Sequence, residues 1–241
     1  LTLINIWCTL KYLQGAFMEK TDAVLGALVH EHLLKVGLET PMNYEQVQVK
    51  DEKKIKNIAK HFTAIMEELG LDLTDDSLID TPNRVAKMYT REIFLGLNYD
   101  NFPKCTKIEN KMGESSSFVL ERNINVQSNC EHHFVVIDGK ATVAYIPKKT
   151  ILGLSKLNRI VQFFSKRPQV QERLTEQIAE TISFITGSDD VAVYIEGVHY
   201  CVKSRGIQDV TSSTMTLATR GAFATINSEL RREFLNSARM K

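Results

Sequence analysis

Apolar residues recur at helical spacing through the first hundred positions, then shift to alternation from about residue 115. Residues 21–36 carry apolar Val24, Leu25, Leu28, Leu33 and Val36 in a helix-like pattern, with Gly37 at the stop, which predicts an amphipathic helix. Residues 48–69 repeat the pattern with Ile55, Ile58, Phe62, Ile65 and Met66 before Gly70. The stretch "DTPNRVAKMYTREIFLGL" (80–97) predicts a third helix, with Asp80 or Thr81 as cap and Pro82 in the first turn. "NYDNFPKC" (98–105) reads as a loop from its Asn, Asp and Pro content.

Beyond that point "SSFVLERNINVQ" and "FVVIDGKATVAYIP" predict strands, with Asp138-Gly139 as a hairpin turn. Two helices follow, over 156–166 and 169–186, separated by Pro168. "VAVYIEGVHYCV" and "SSTMTLAT" are strands again, and residues 227–239 predict a closing helix around Leu230, Phe234 and Ala238. A helical front followed by ββααββ is an α+β pattern. It divides the chain into a helical region over 18–110 and an α+β domain over 111–241, which the resemblance given below makes the catalytic domain. Residues 1–17, "LTLINIWCTLKYLQGAF", read as a leader. Their apolar run is broken by Lys11, well short of the roughly 20 residues a membrane span needs, and they lack a basic signal-peptide start.

Composition narrows the function. Lys+Arg 30 against Asp+Glu 29 gives a formal charge of +1, which provides no bulk electrostatic case for nucleic acid. Four widely spaced cysteines do not make a secreted disulfide framework, and they favour a reducing cytoplasm where Cys beside His binds metal.

The candidate chemistry begins at "NCEHHFVV" (129–136). If residues 191–202 form one strand, Val191, Val193, Ile195, Gly197, His199 and Cys201 share a face, with His199 and Cys201 about 7 Å apart. Cys130, His133 and Cys201 are then able to supply three zinc ligands and leave a fourth position for water, as a catalytic site requires. His132 and His199 would stand beside the metal to move protons. Spacing alone leaves two alternatives open, namely buried hydrogen-bonded histidines and His132 as the ligand.

Ser155 is placed to cap a helix beginning near Lys156, and Lys156, Arg159, Lys203 and Arg205 add positive charge. This is either an anion site at a helix N-terminus or a normally capped helix with solvated basic residues. Glu172 is either a plain first-turn carboxylate or an acceptor for the N–H donors of guanine. No P-loop or G-x-G-x-x-G stretch is present in the sequence.

Taken together and in order, "GLETP", "DDSLIDTPNRVAKMYTREIF", "NCEHHF", "DGKATVAYIPK", "GLSKLNRIVQFFSKRPQVQERLTEQI", "VHYCVKSRGIQD" and "TSSTMT" resemble GTP cyclohydrolase I from about residue 20 onward. The resemblance implies the tunnelling fold, with subunits closing a β-barrel in a homodecamer of two pentamers. It also implies a cytoplasmic hydrolase acting on cyclic amidine C–N bonds, which converts GTP to 7,8-dihydroneopterin triphosphate and formate. Position by position, Cys130, His133 and Cys201 match the Zn2+ ligands. His132 and His199 match the acid–base histidines, and Glu172 matches the guanine-reading carboxylate. Ser155, Lys156, Arg159 and Arg205 match the ribose and triphosphate region, with Arg84 and Lys87 as weaker candidates from a neighbouring subunit. The rival readings are another tunnelling-fold enzyme of pterins or deazapurines, and a non-catalytic protein with a structural zinc.

Overall fold

The computed structural model describes residues 20–113 and 117–240, so the expected leader over 1–17, and Cys8 with it, lies outside the described residues. Helix α1 (Ala23–Lys35) starts where the Asp22 carboxylate accepts from the Leu25 N–H at 2.9 Å, satisfying one free donor of the first turn. Helix α2 (Asp51–Glu68) has no side-chain cap but carries Asp51 and Glu52 in its first turn, where the helix dipole favours them. Helix α3 (Thr81–Met88) is shorter than the 80–97 pattern predicts. It passes into a π-helical turn over Tyr89–Ile93 and then a 3-10 turn over Leu95–Leu97.

The sheet follows: β1 (Lys107–Glu109) pairs with β4 (Thr150–Leu152), while a five-stranded sheet runs in the order β5-β2-β3-β6-β7. Its members are β2 (Val119–Cys130), β3 (Val136–Tyr145), β5 (Pro168–Gln169), β6 (Val191–His199) and β7 (Thr214–Thr219). Helices α4 (Leu154–Ser165) and α5 (Gln171–Thr186) lie between the two hairpins in sequence, which gives the expected ββααββ order. Helix α6 (Glu229–Arg239) closes the described chain, with Ser228 accepting from the Arg231 N–H at 3.2 Å. The architecture is α+β.

Alternation along β6 explains the layering. Val191, Val193 and Ile195 join one core with Leu157, Ile160, Leu174 and Ile178 of α4 and α5. Ala192 and Tyr194 join a second cluster with Phe223 and Phe234 of the α6 region. Val29 and Leu33 of α1, with Tyr99 and Phe102, belong to the first core, where α1 packs on α5.

Three expectations fail locally. Asp138-Gly139 is no turn, because both residues lie inside β3, where Asp138 faces Val198 and Gly139 faces Gly197. The actual reversal between β2 and β3 is the Glu131–Phe134 turn, in which the Phe134 N–H donates to the Cys130 carbonyl at 2.8 Å. Glycine is needed at 139 for a different reason: a Cβ there would meet the Glu196 carbonyl oxygen at 2.4 Å. Ser155 does not cap α4. Gly153 is the N-cap residue, no side chain bonds to the free N–H groups, and Ser155 is exposed one residue into the helix. Finally, β6 ends at His199, and Cys201 sits in a helical turn over Tyr200–Lys203, so the two do not share a strand face.

A buried ion pair ties the front of the chain to the sheet. Arg167 is 0% exposed, and its Nη1 donates to Glu39 at 3.1 Å and to the Thr40 hydroxyl at 3.2 Å, while Nη2 donates to the Gly96 carbonyl. The guanidinium also lies 4.8–5.1 Å from the rings of Phe164, Phe163 and Tyr99, a cation–π distance. Glu39 further contacts His30 Nδ1 at 2.8 Å and accepts from the Tyr99 hydroxyl. Thus "GLETP" is the counter-charge for the buried arginine of "SKRP".

Candidate metal centre and active site

Cys130 is the last residue of β2 and is 5% exposed. Its N–H donates to the Val135 carbonyl at 2.8 Å, and Asn129 Nδ2 donates to the Phe134 carbonyl at 3.2 Å, so the tight turn holds His132 and His133 beside the thiol. Cys130 Sγ lies 3.6 Å from His132 Nδ1 and 4.0 Å from His133 Nδ1. The turn leaves β6 in time to bring Cys201 across from the neighbouring strand pair. One ligand atom from each of Cys130, His133 and Cys201 lies within 4.8 Å of the others. Burial pushes the Cys201 thiol up, and the adjacent Cys130 adds to that rise.

This donor set fits zinc. Two thiolates and an imidazole are soft to borderline ligands, and Zn–S and Zn–N bonds of about 2.3 and 2.0 Å put tetrahedral ligand atoms roughly 3.5–3.8 Å apart. The observed spacing needs only a small contraction. His133 converges with both Cys130 and Cys201, whereas His132 touches Cys130 alone. Cys105 is elsewhere, with its thiol on the Pro103 carbonyl at 3.4 Å and pushed up to about 12 by burial. Among the described residues three side chains, those of Cys130, His133 and Cys201, are thus placed to hold a metal ion.

His199 ends β6 with its Nε2 2.8 Å from Gln171 Oε1. Gln171, 1% exposed at the start of α5, is itself fixed by donating from Nε2 to the Ile195 and Thr214 carbonyls and to Thr216 Oγ1, at 2.9–3.2 Å. Burial holds His199 below the usual histidine range, while the nearby Glu172 carboxylate pulls the other way. Glu172 is exposed and close enough to His199 to act on it electrostatically. Arg205 is also exposed and donates to His133 Nε2 at 2.7 Å, the ring atom away from Cys130.

The remaining predicted residues do not join this cluster in the single chain. Lys156 and Arg159 are half-buried on α4, where their charges act on Cys105. Arg84 and Lys87 are exposed on α3, and Arg84 pairs with Asp80 at 3.8 Å, one helical turn away. Two supports escaped the sequence reading. Gln171 looks like an ordinary polar first-turn residue, and its burial is visible only after α5 packs on β6 and β7. The Arg173–Glu131 ion pair braces the histidine turn against α5. Nothing in the sequence pairs those two charges.

Residues 58–239 match the family description GTP cyclohydrolase I. The chain belongs to that family. A GTP cyclohydrolase 1 of Enterobacter sp. (strain 638) is 56% identical over 213 residues, covering 88% of this chain and 95% of that protein. Its counterpart from Salmonella arizonae is 55% identical over the same shares. Among solved structures, the apo archaeosine synthase QueF-Like aligns over 45% of this chain and 97% of its own, at TM-score 0.38 and 18% identity. Among the described residues no helix is long and apolar enough to cross a membrane.

Proposed function

We propose that this protein hydrolyses and rearranges GTP to 7,8-dihydroneopterin triphosphate and formate, the first step towards tetrahydrofolate and related pterins. The observation that carries the reading is the convergence of Cys130, His133 and Cys201 in a chain of the GTP cyclohydrolase I family. These three residues would hold zinc, which when bound supplies a water acidic enough to act as hydroxide near neutral pH.

The chain's own residues do the rest. His132 and His199 exchange protons with the guanine imidazole ring as it opens at C8, and Gln171 keeps the His199 ring turned towards them. Glu172 accepts hydrogen bonds from the N–H groups of guanine, which suits an acceptor-only carboxylate. Arg205, Lys156 and Arg159 take the ribose and triphosphate region with Ser155, and Arg84 and Lys87 serve the same anion from a neighbouring subunit. That Lys156, Arg159, Arg84 and Lys87 stand apart from the cysteine cluster of their own chain supports a site completed between subunits.

The ββααββ order with α4 and α5 packed on the sheet supports the tunnelling fold. The corresponding assembly is a homodecamer of two pentamers, each closing a β-barrel through the free edge of β7. Within each subunit, 18–110 forms the helical region and 111–241 the catalytic domain, and the enzyme works in the cytoplasm.

Incubation of the purified protein with GTP, with formate and the fluorescent oxidised pterin measured together, tests the reading. Both products are expected. Another enzyme of the same fold would release no formate from GTP, and a structural zinc protein would leave GTP intact. Cys201→Ser should lose zinc and formate release together. A Cys201→Ser protein with stoichiometric zinc would remove it from the ligand set.

A further inference from the structure

Arg173 is out of place for the helix that carries it. It stands in the first turn of α5, where the helix dipole disfavours a cation. The packing of α5 does not call on it, since Leu174, Ile178 and Ile182 supply the buried face at 0% exposure. Its side chain is nevertheless only 17% exposed, with the guanidinium on Glu131 in the turn that follows β2.

The contacts close a ring of three residues. Arg173 Nη2 donates to the Glu131 carboxylate, and Arg173 Nε donates to Gln169 Oε1 at 3.2 Å. The Glu131 N–H completes the ring by donating to the Gln169 carbonyl at 3.0 Å. Gln169 is 0% exposed, and its partners fix which way its amide points. Nε2 faces the Phe164 carbonyl at 3.0 Å, which can only accept, so Oε1 faces the arginine, which can only donate. Gln177 Oε1 accepts from the same Nε2 at 2.8 Å, and Gln177 is tied in turn to the Leu38 carbonyl and Thr40 Oγ1. The ring is thus anchored in the interior at Gln169. Glu131 lies between Cys130 and His132, so fixing its N–H and its carboxylate fixes the near end of the histidine turn. Asn129 holds the far end at the Phe134 carbonyl.

We propose that Arg173 is a positioning residue for the metal centre: through Glu131 and Gln169 it holds the turn so that His133 meets the same ion as Cys130 and Cys201. This role rests on the zinc reading given under the proposed function.

The test is the zinc affinity of the full-length protein, measured by competition with a chromophoric chelator. Arg173→Met should weaken it about 10- to 100-fold, the usual effect of removing a partner that orients a metal ligand. Arg173→Lys, which restores the charge but lacks the fork that reaches Glu131 and Gln169 together, should recover part of the loss. Glu131→Gln added to Arg173→Met should cost little more, because the pair is already broken. Ile182→Val, a core change in the same helix, should lower the urea midpoint and leave zinc affinity in place. With zinc saturating, kcat for formate release by Arg173→Met should fall while KM for GTP holds, since the turn also carries His132.

Native zinc affinity in Arg173→Met overturns the role, as do losses for Arg173→Met and Glu131→Gln that simply multiply. Equal weakening by Ile182→Val would make the effect one of general stability and overturn it too. A raised KM with kcat unchanged would make Arg173 a substrate contact and not a positioning residue. Should Arg173→Met fail to fold, Arg173→Lys carries the same comparison against Ile182→Val. A native protein that takes up no zinc fails the functional reading and this role together, whereas native zinc binding indifferent to Arg173 fails this role alone.

Discussion

Replacing Arg167 by methionine removes the buried charge and leaves an unbranched apolar side chain beside Phe163, Phe164 and Tyr99, at the loss of the guanidinium's cation–π contacts as well. What disappears is the counter-charge of Glu39, together with the donors to Thr40 and to the Gly96 carbonyl. Glu39 is left buried as an anion with His30 and Tyr99 as its remaining side-chain partners. Removing one member of a buried ion pair costs about 3–5 kcal/mol, chiefly from the uncompensated charge that stays behind. Set against a total stability on the order of 5–15 kcal/mol, that is about a fifth or more of the fold. The assay is urea unfolding followed by circular dichroism at fixed protein concentration, since assembly makes the midpoint concentration-dependent. An unchanged slope with a lowered midpoint is expected. Glu39→Gln added to Arg167→Met should return at least about 1 kcal/mol, because the amide carries no charge and still accepts from Tyr99. A loss below about 1 kcal/mol for Arg167→Met, or no recovery in the double variant, would refute the argument that charge compensation holds this region together.

Three further outcomes are expected. His133→Ala should release zinc and abolish turnover, whereas His132→Ala should keep zinc and lose roughly 10²–10⁴-fold in formate release, with both quantities measured on the same samples; the reverse pattern would exchange the two roles. Glu172→Gln should weaken GTP binding by about 1.5–3 kcal/mol, or roughly 10- to 150-fold by calorimetry, through loss of charge-assisted hydrogen bonds; unchanged affinity would return Glu172 to the solvated surface. Gly139→Ala should cost about 1–3 kcal/mol in unfolding, because its methyl would meet the Glu196 carbonyl rather than solvent, and a neutral result would contradict the β3–β6 register.

Periodicity alone was enough to bound α1, α2 and α5, because a 3.6-residue repeat is written into the sequence, although α1 buries Gly26, Val29 and Leu33 while Val24, Leu28 and Val36 of its apolar stripe stay exposed. The convergence of Cys130, His133 and Cys201 was also expected from the sequence, since "CEHH" and "HYC" are compact runs of side chains able to bind metal. What periodicity could not fix was direction. Asp138-Gly139 carries turn chemistry but sits mid-strand, because Gly139 is required by the close approach of β6 and not by a reversal. Cys201 continues the alternation of β6 on paper, yet the backbone turns helical at Tyr200, and only that turn swings the thiol towards Cys130. The anchoring of His199 by Gln171, the bracing of Glu131 by Arg173 and the pairing of Arg167 with Glu39 join residues 28 to 128 positions apart. Local spacing carries no information about such partners. They become defined only when the helices pack on the sheet and exclude the water that would otherwise satisfy each polar group separately.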